Sequence, residues 1–89
     1  MIKKMIEELA RLERLEGITN HAEADYDKEF ENAEYEKTFD TAYRNEYDSF
    51  MTMSTMLAEY IGVDIATARA IVNKKRAELW DILKCAATN

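Results

Sequence analysis

Apolar residues recur every three or four positions at the start of this chain, which is the spacing of an amphipathic α-helix. The stripe that they form consists of Ile2, Met5, Ile6, Leu9, Leu12 and Leu15. It predicts a helix over residues 2–16, ended by Gly17 in the left-handed conformation that glycine adopts readily. Asn20 and Glu23 have the spacing of a capping box, so we expect the next helix to start at Asn20.

The apolar stripe changes sides within the long stretch from Ile18 to Ile61. One continuous helix of this length would measure roughly 60 Å, longer than a compact domain of this size. One face would carry Ala22, Tyr26, Phe30 and Ala33. A second face, about half a turn away, would carry Tyr35, Phe39, Tyr43, Phe50, Met53, Leu57 and Ile61. The change predicts a break or kink near residues 31–35. A helix that contacts different partners along its length is the alternative.

The next helix end is marked by Gly62, and Asp64 is the expected N-cap of a last helix over residues 65–84. The buried face of that helix would consist of Ile65, Ala68, Ile71, Val72, Leu79, Ile82 and Leu83. The chain has no proline and two glycines, so few residues interrupt helices. The sequence therefore predicts an all-α fold, a small bundle of three to four antiparallel helices, in a single domain over residues 1–89.

Charge is unevenly distributed along the chain. Residues 23–48 contain ten acidic and three basic residues, a balance of −7, and are called the acidic segment below. The rest of the chain contains eight acidic and nine basic residues, a balance of +1, which makes the net charge −6. Such a segment repels nucleic acids and membrane surfaces and attracts basic partners.

The acidic segment is also a repeat, since "ADYDKEFENA" is followed, sharing one alanine, by "AEYEKTFDTA". Like charges four residues apart destabilise a helix slightly, so local stability does not account for them. Rows of carboxylates on a helix can imitate nucleic-acid phosphates, and tyrosines suit a protein interface. The candidate partner-binding surface consists of Glu23, Asp25, Tyr26, Asp27, Glu29, Glu31, Glu34, Tyr35, Glu36 and Asp40. The alternative is a solvated acidic face around core aromatics.

The stretch "LAEYIGVDIATARAIVN", residues 57–73, resembles the helix-turn-helix of the lac repressor family within a corner over residues 55–84. The resemblance is carried by Ala58, Glu59, Tyr60, Gly62, Val63, Thr67, Val72 and Asn73. It implies that the helix after the turn enters the major groove with Thr67, Arg69 and Asn73 facing DNA. It also implies phosphate contacts by Lys74, Lys75 and Arg76. The alternative is an ordinary corner between two capped helices.

Catalytic and metal-binding patterns are weak. The chain has one histidine, His21, and one cysteine, Cys85, and it has no glycine-rich phosphate loop. A calcium-loop spacing is formed by Asp25, Asp27, Glu29 and Glu36. Phe30 occupies the position where the sharp turn of such a loop requires glycine. We therefore expect a protein that is not an enzyme and that has no metal or cofactor.

The sequence predicts a cytoplasmic location. No run is apolar enough to cross a membrane, and the charged, amphipathic start "MIKKMIEELARLERL" is not typical of a signal peptide. The single Cys85 has no intramolecular disulfide partner, which fits a reducing compartment.

These features predict an acidic, non-catalytic inhibitor or adaptor that occupies the basic site of a nucleic-acid-binding protein. In size and charge alone, the chain resembles the DNA-mimic anti-restriction and anti-CRISPR proteins of phages. One alternative is a small helix-turn-helix transcriptional regulator. Another is a helical homo-oligomer, such as a homodimer, assembled through Tyr43, Phe50, Met53 and Leu57.

Overall fold

The computed structural model describes residues 1–88, and this part of the chain folds into helices joined by short turns. The helices are α1 (Ile2–Lys28), α2 (Ala33–Ile61), α3 (Ile65–Lys74) and α4 (Arg76–Thr88). No strand occurs within residues 1–88. The predicted all-α bundle is therefore confirmed.

Helices α1 and α2 form an antiparallel hairpin. Near the turn, the rings of Tyr26 and Phe39 stack with their centroids 5.9 Å apart. Farther along, the hydroxyl of Ser49 donates a hydrogen bond of 2.6 Å to the carboxylate of Glu8. Residues earlier in α1 contact residues later in α2, so the two helices run antiparallel.

Helix α1 does not end at Gly17. It continues through Gly17 and Asn20 to Lys28, so the predicted end at residue 16 and the restart at Asn20 are wrong. Gly17 has space around it, since an added Cβ would meet no atom within 4 Å. A glycine inside a helix costs only about 1 kcal/mol relative to alanine. Burial of Thr19 and Ala22 in the hairpin offsets that cost.

The chain reverses between α1 and α2 at residues 29–32. Asn32 is the N-cap of α2, and its side-chain oxygen accepts hydrogen bonds from the backbone N–H groups of Glu34 and Tyr35, at 3.0 and 3.4 Å. The break predicted near residues 31–35 is confirmed, although it begins two residues earlier. The apolar stripe changes sides because these two segments lie on different helices.

The corner between α2 and α3 forms as predicted. Gly62 has φ 73° and ends α2 in the left-handed conformation. Asp64 accepts a hydrogen bond of 2.7 Å from the backbone N–H of Thr67 and so caps α3. Hydrogen bonding to the side chain of Thr67, and then to its backbone N–H, lowers the pKa of Asp64, because it stabilises the carboxylate.

The last predicted helix is divided in two. Lys75 leaves the helical conformation, with φ −123° and ψ 42°, so α3 ends there and α4 begins at Arg76. The division rotates the two parts of the expected buried face relative to each other. Ile65 and Ile82, both expected in the core, are exposed. Leu79 and Leu83 are buried as expected.

The core lies at one end of the molecule. Its buried side chains are Met5, Leu9, Leu12, Met53, Leu57, Ala58, Ala68, Val72, Leu79 and Leu83. The molecule measures 50 × 25 × 19 Å, because the hairpin extends beyond this core. We call residues 20–42 the arm. Among residues 1–88, no hydrogen bond or ion pair connects the arm to α3 or α4.

Candidate functional site

The acidic residues of the predicted surface lie together on the arm. Glu23, Asp25 and Asp27 lie on the last turns of α1, Glu29 and Glu31 on the connecting turn, and Glu34, Glu36 and Asp40 on the first turns of α2. All of them are exposed except Asp25, which is half-buried. The antiparallel hairpin therefore brings both copies of the repeat to one end of the molecule.

Few of these carboxylates are neutralised by bases. Asp40 pairs with Arg44 at 3.1 Å, and Asp25 lies 3.7 Å from the ring of His21. The other six form no ion pair with any residue that the structure describes: Glu23, Asp27, Glu29, Glu31, Glu34 and Glu36. Glu34 and Glu36 also lie in the first turn of α2, where the helix dipole favours negative charge. Glu29 accepts a hydrogen bond of 3.2 Å from the side-chain amide of Asn32. Local structure thus accounts for three of the six.

Aromatic rings line one side of the arm. Tyr26 of α1 stacks on Phe39 of α2, and the ring of Tyr43 meets Phe39 edge-on at 6.4 Å. These rings border an open cleft of about 660 Å³, together with Ala33, Glu36, Lys37 and Asp40. Tyr26 therefore belongs to the arm surface as predicted. Tyr35 is half-buried and does not line this cleft.

A second, smaller cleft lies at the base of the arm, where α1, α2 and α3 meet. It encloses about 250 Å³, and its lining consists of Leu12, Glu16, Tyr43, Glu46, Tyr47, Phe50 and Asn73. Tyr43 borders both clefts, so they are neighbours along the hairpin. Glu46 is half-buried here and forms no ion pair within residues 1–88.

Sequence reasoning omitted several residues that the structure places at this surface. Phe30 occupies the turn of the arm and is 66% exposed, although its position in the apolar stripe suggested burial. Tyr47 and Glu46 line the smaller cleft. The spacing along α2 places Tyr43, Glu46, Tyr47 and Phe50 on one side of a helix. That spacing alone does not show that Asn73 of α3 also lines the cleft.

The residues proposed to contact DNA have different surroundings. Thr67, Lys74 and Lys75 are exposed. The guanidinium of Arg69 lies over the ring of Phe50, 5.9 Å from its centroid. Asn73 lines the smaller cleft. All five of these residues of α3 and its end thus remain accessible at the molecular surface, and Arg69 also packs on an aromatic ring.

Arg76, by contrast, is engaged within the chain. Its two terminal nitrogens donate hydrogen bonds of 2.6 and 3.0 Å to the carboxylate of Glu16, and its Nε donates to the carbonyl of Val72 at 2.8 Å. Glu13 lies 3.6 Å away. Hydrogen bonding to Glu16 raises the pKa of Arg76. Because Arg76 also begins α4, it does not share a helix with Arg69 and Asn73. The expected phosphate contact by Arg76 is therefore disfavoured.

The residues proposed for homo-oligomer assembly are mostly unavailable. Met53 and Leu57 are buried in the core of a single chain, and Phe50 is half-buried. Only Tyr43 of that set is exposed. The expectation that all of these side chains form an interface between copies is therefore wrong.

Two further features of the described chain bear on the site. Within residues 1–88, the side chains of His, Cys, Asp and Glu form no group of three or more with the geometry to hold a metal ion. No helix in this range has both the length and the apolar character needed to cross a membrane.

Comparisons with known proteins give no relative for this chain. No protein-family model matches it, and no curated protein sequence or solved structure shows significant similarity to it.

Proposed function

We propose that this is a non-catalytic inhibitor or adaptor whose arm occupies a basic, nucleic-acid-binding surface on another protein. The observation that carries this proposal is the concentration on the arm of six carboxylates that form no ion pair within residues 1–88. The arm projects beyond the core. Projection lets a cleft of the partner surround the arm from several sides.

These charges destabilise the arm slightly and attract basic surfaces. Like charges four residues apart on a helix destabilise it by a few tenths of a kcal/mol per pair, roughly 0.2–0.5. A surface rich in Lys and Arg gains affinity for such an array as counterions are released, as it does on nucleic acid. The exposed Phe30 at the turn adds an apolar contact at the end of the arm.

The test compares two variants with the same change in net charge. The arm variant carries Glu23→Gln, Asp27→Asn, Glu29→Gln and Glu31→Gln. The body variant carries Glu7→Gln, Glu59→Gln, Glu78→Gln and Asp81→Asn, all exposed positions outside the arm. Each immobilised protein is exposed to extracts at constant salt, and bound proteins are then eluted with duplex DNA.

We expect the wild type and the body variant to retain a basic protein that DNA displaces, and the arm variant not to retain it. With that protein purified, the arm variant should bind about tenfold or more weakly in calorimetry, with a smaller salt dependence. Equal binding by the arm and body variants, or failure of DNA to compete, would refute the proposal.

A second candidate is a helix-turn-helix DNA-binding regulator. The observation that favours it is the short corner at Gly62–Asp64, after which α3 leaves Arg69, Lys74 and Lys75 at the surface. Fluorescence anisotropy of a labelled mixed-sequence duplex tests it at low and physiological salt. Salt-sensitive binding that is lost in an Arg69→Ala, Lys74→Ala variant supports this candidate. The absence of binding at low salt eliminates it.

A further inference from the structure

The smaller cleft combines aromatic rings with a carboxylate, that of Glu46, that forms no ion pair with the described part of the chain. Three rings border it, those of Tyr43, Tyr47 and Phe50. Pockets for drug-sized ligands enclose roughly 300–1,000 Å³. The volume of about 250 Å³ therefore suits one extended side chain better than a cofactor.

The two carboxylates of this cleft differ in their ion pairing. Glu16 already accepts both hydrogen bonds from Arg76. Glu46 is half-buried and has no ion pair among residues 1–88. Partial removal from water strengthens the interaction of a carboxylate with a nearby cation. Glu46 is therefore the group in this cleft that can receive a cation from outside the chain.

A guanidinium group can interact with both the aromatic rings and the carboxylate of the cleft. It is a planar cation that stacks on aromatic faces and donates two parallel hydrogen bonds to one carboxylate. A lysine ammonium is compact and strongly hydrated, and it gains less from stacking. An apolar side chain would cover Glu46 without giving it a hydrogen-bond donor, which is unfavourable. The lining therefore favours arginine over these alternatives.

The chain's own arginines make both kinds of contact at the edges of the cleft. Arg69 lies over Phe50 at 5.9 Å, and Arg76 forms the paired hydrogen bonds with Glu16. These cations do not make the surroundings positive. The carboxylates of Glu13, Glu16 and Glu46 outnumber the two guanidinium groups, which leaves a balance of −1 beside the acidic arm.

We propose that the smaller cleft binds an arginine side chain of the partner protein. Glu46 accepts the hydrogen bonds of the guanidinium, and the exposed rings of Tyr43 and Tyr47 form the surface on which it stacks, since Arg69 already lies over Phe50. This inference rests on the proposed function, since the arginine belongs to the same basic partner. The arm supplies long-range attraction, and the cleft supplies a preference for arginine over lysine.

The experiment uses two fluorescein-labelled Gly/Ser peptides that carry four arginines or four lysines at the same positions. Their affinities for the whole protein are measured by fluorescence anisotropy at low and physiological ionic strength. Glu46→Gln removes the proposed carboxylate. Asp48→Asn is the matched control, because it removes one charge two residues away at an exposed position that does not line the cleft. Circular dichroism and urea unfolding establish that each variant is folded.

We expect the wild type to bind the arginine peptide about fivefold more tightly than the lysine peptide. Glu46→Gln should abolish this preference, and Asp48→Asn should retain it. If Glu46→Gln does not fold, Tyr47→Ala provides the same test, since Tyr47 is 47% exposed and lies outside the core. It should reduce the preference at least twofold by removing one stacking ring.

The outcomes separate the two proposals. Equal affinities for the two peptides, or an unchanged preference in Glu46→Gln and Tyr47→Ala, would overturn the arginine site while leaving the acidic arm as the binding surface. No binding of either peptide at low ionic strength would count against both. Selective loss of the arginine preference in the cleft variants supports the site.

Discussion

Arg76 at the start of α4 forms two parallel hydrogen bonds with Glu16 of α1, at 2.6 and 3.0 Å. The pair connects residues 60 positions apart in the chain and joins the C-terminal helix to the middle of α1. The indole Nε1 of Trp80 adds a third contact between these helices, since it donates to Glu13 at 2.9 Å. The contacts fix α4 against α1 at the point where the arm leaves the core.

We expect Arg76→Ala to destabilise the fold by about 1–3 kcal/mol, because it removes two charge-assisted hydrogen bonds and the bond to Val72. Arg76→Lys should recover only part of the lost stability, since lysine lacks the planar guanidinium that donates two parallel hydrogen bonds. Urea unfolding measures both. Arg44→Ala is the control, because its pair with Asp40 is exposed and should contribute less than about 0.5 kcal/mol. Equal losses at Arg76 and Arg44 would show that the half-buried pair of Arg76 and Glu16 has no special role.

Replacing each of the two glycines by alanine should have opposite effects on the stability of the fold. Gly62→Ala forces a left-handed conformation on a residue with a Cβ and should cost about 1–2 kcal/mol. Gly17 lies inside α1 with open space around it, so Gly17→Ala should be stabilising by up to about 1 kcal/mol. Thermal unfolding of the two variants provides the comparison. A stabilising effect at position 62 would contradict the assigned turn.

The N-cap of α3 should make stability depend on pH. The pKa of Asp64 is lowered below 3.8 by its hydrogen bond to Thr67 in the folded state. Because the pKa of Asp64 is lower in the folded state, its stabilisation is fully present above the unfolded-state pKa. It is lost as the pH falls through the folded-state pKa. Asp64→Asn keeps a capping group without titrating. The stability difference between wild type and Asp64→Asn should therefore stay constant near neutral pH and shrink as the pH falls below about 4. A difference that also stays constant at the lower pH would contradict the assigned cap.

The arm should open locally before the core unfolds. Its helices bury small side chains against each other, Ala22 and Ala42, whereas the core carries the large apolar residues. We expect backbone amides of residues 20–42 to exchange with solvent at least about tenfold faster than those near Leu9 and Leu57. Hydrogen exchange followed by NMR gives the rates. Matching protection in the arm and the core would mean that the hairpin unfolds as one unit with α3 and α4.

The sequence determined the local features of this fold. The three- to four-residue spacing from Ile2 to Leu15 identified the buried face of α1, and Gly62 and Asp64 identified the corner before α3. These features can be predicted from the sequence because backbone conformation and capping depend on residues within one turn of helix. The charge of residues 23–48 is equally a property of the sequence alone.

Tertiary structure decided how far each helix continues and what its residues meet. Gly17 and Asn20 carry the local signals of a helix boundary, yet packing of Thr19 and Ala22 against α2 keeps α1 continuous. Arg76 had the charge for a phosphate contact, but α1 presents Glu16 to it across 60 positions of sequence. The cleft beside Glu46 likewise depends on tertiary structure, since Leu12 and Glu16 of α1 and Asn73 of α3 complete its lining. Such contacts join distant residues, so the spacing within any one helix does not specify them.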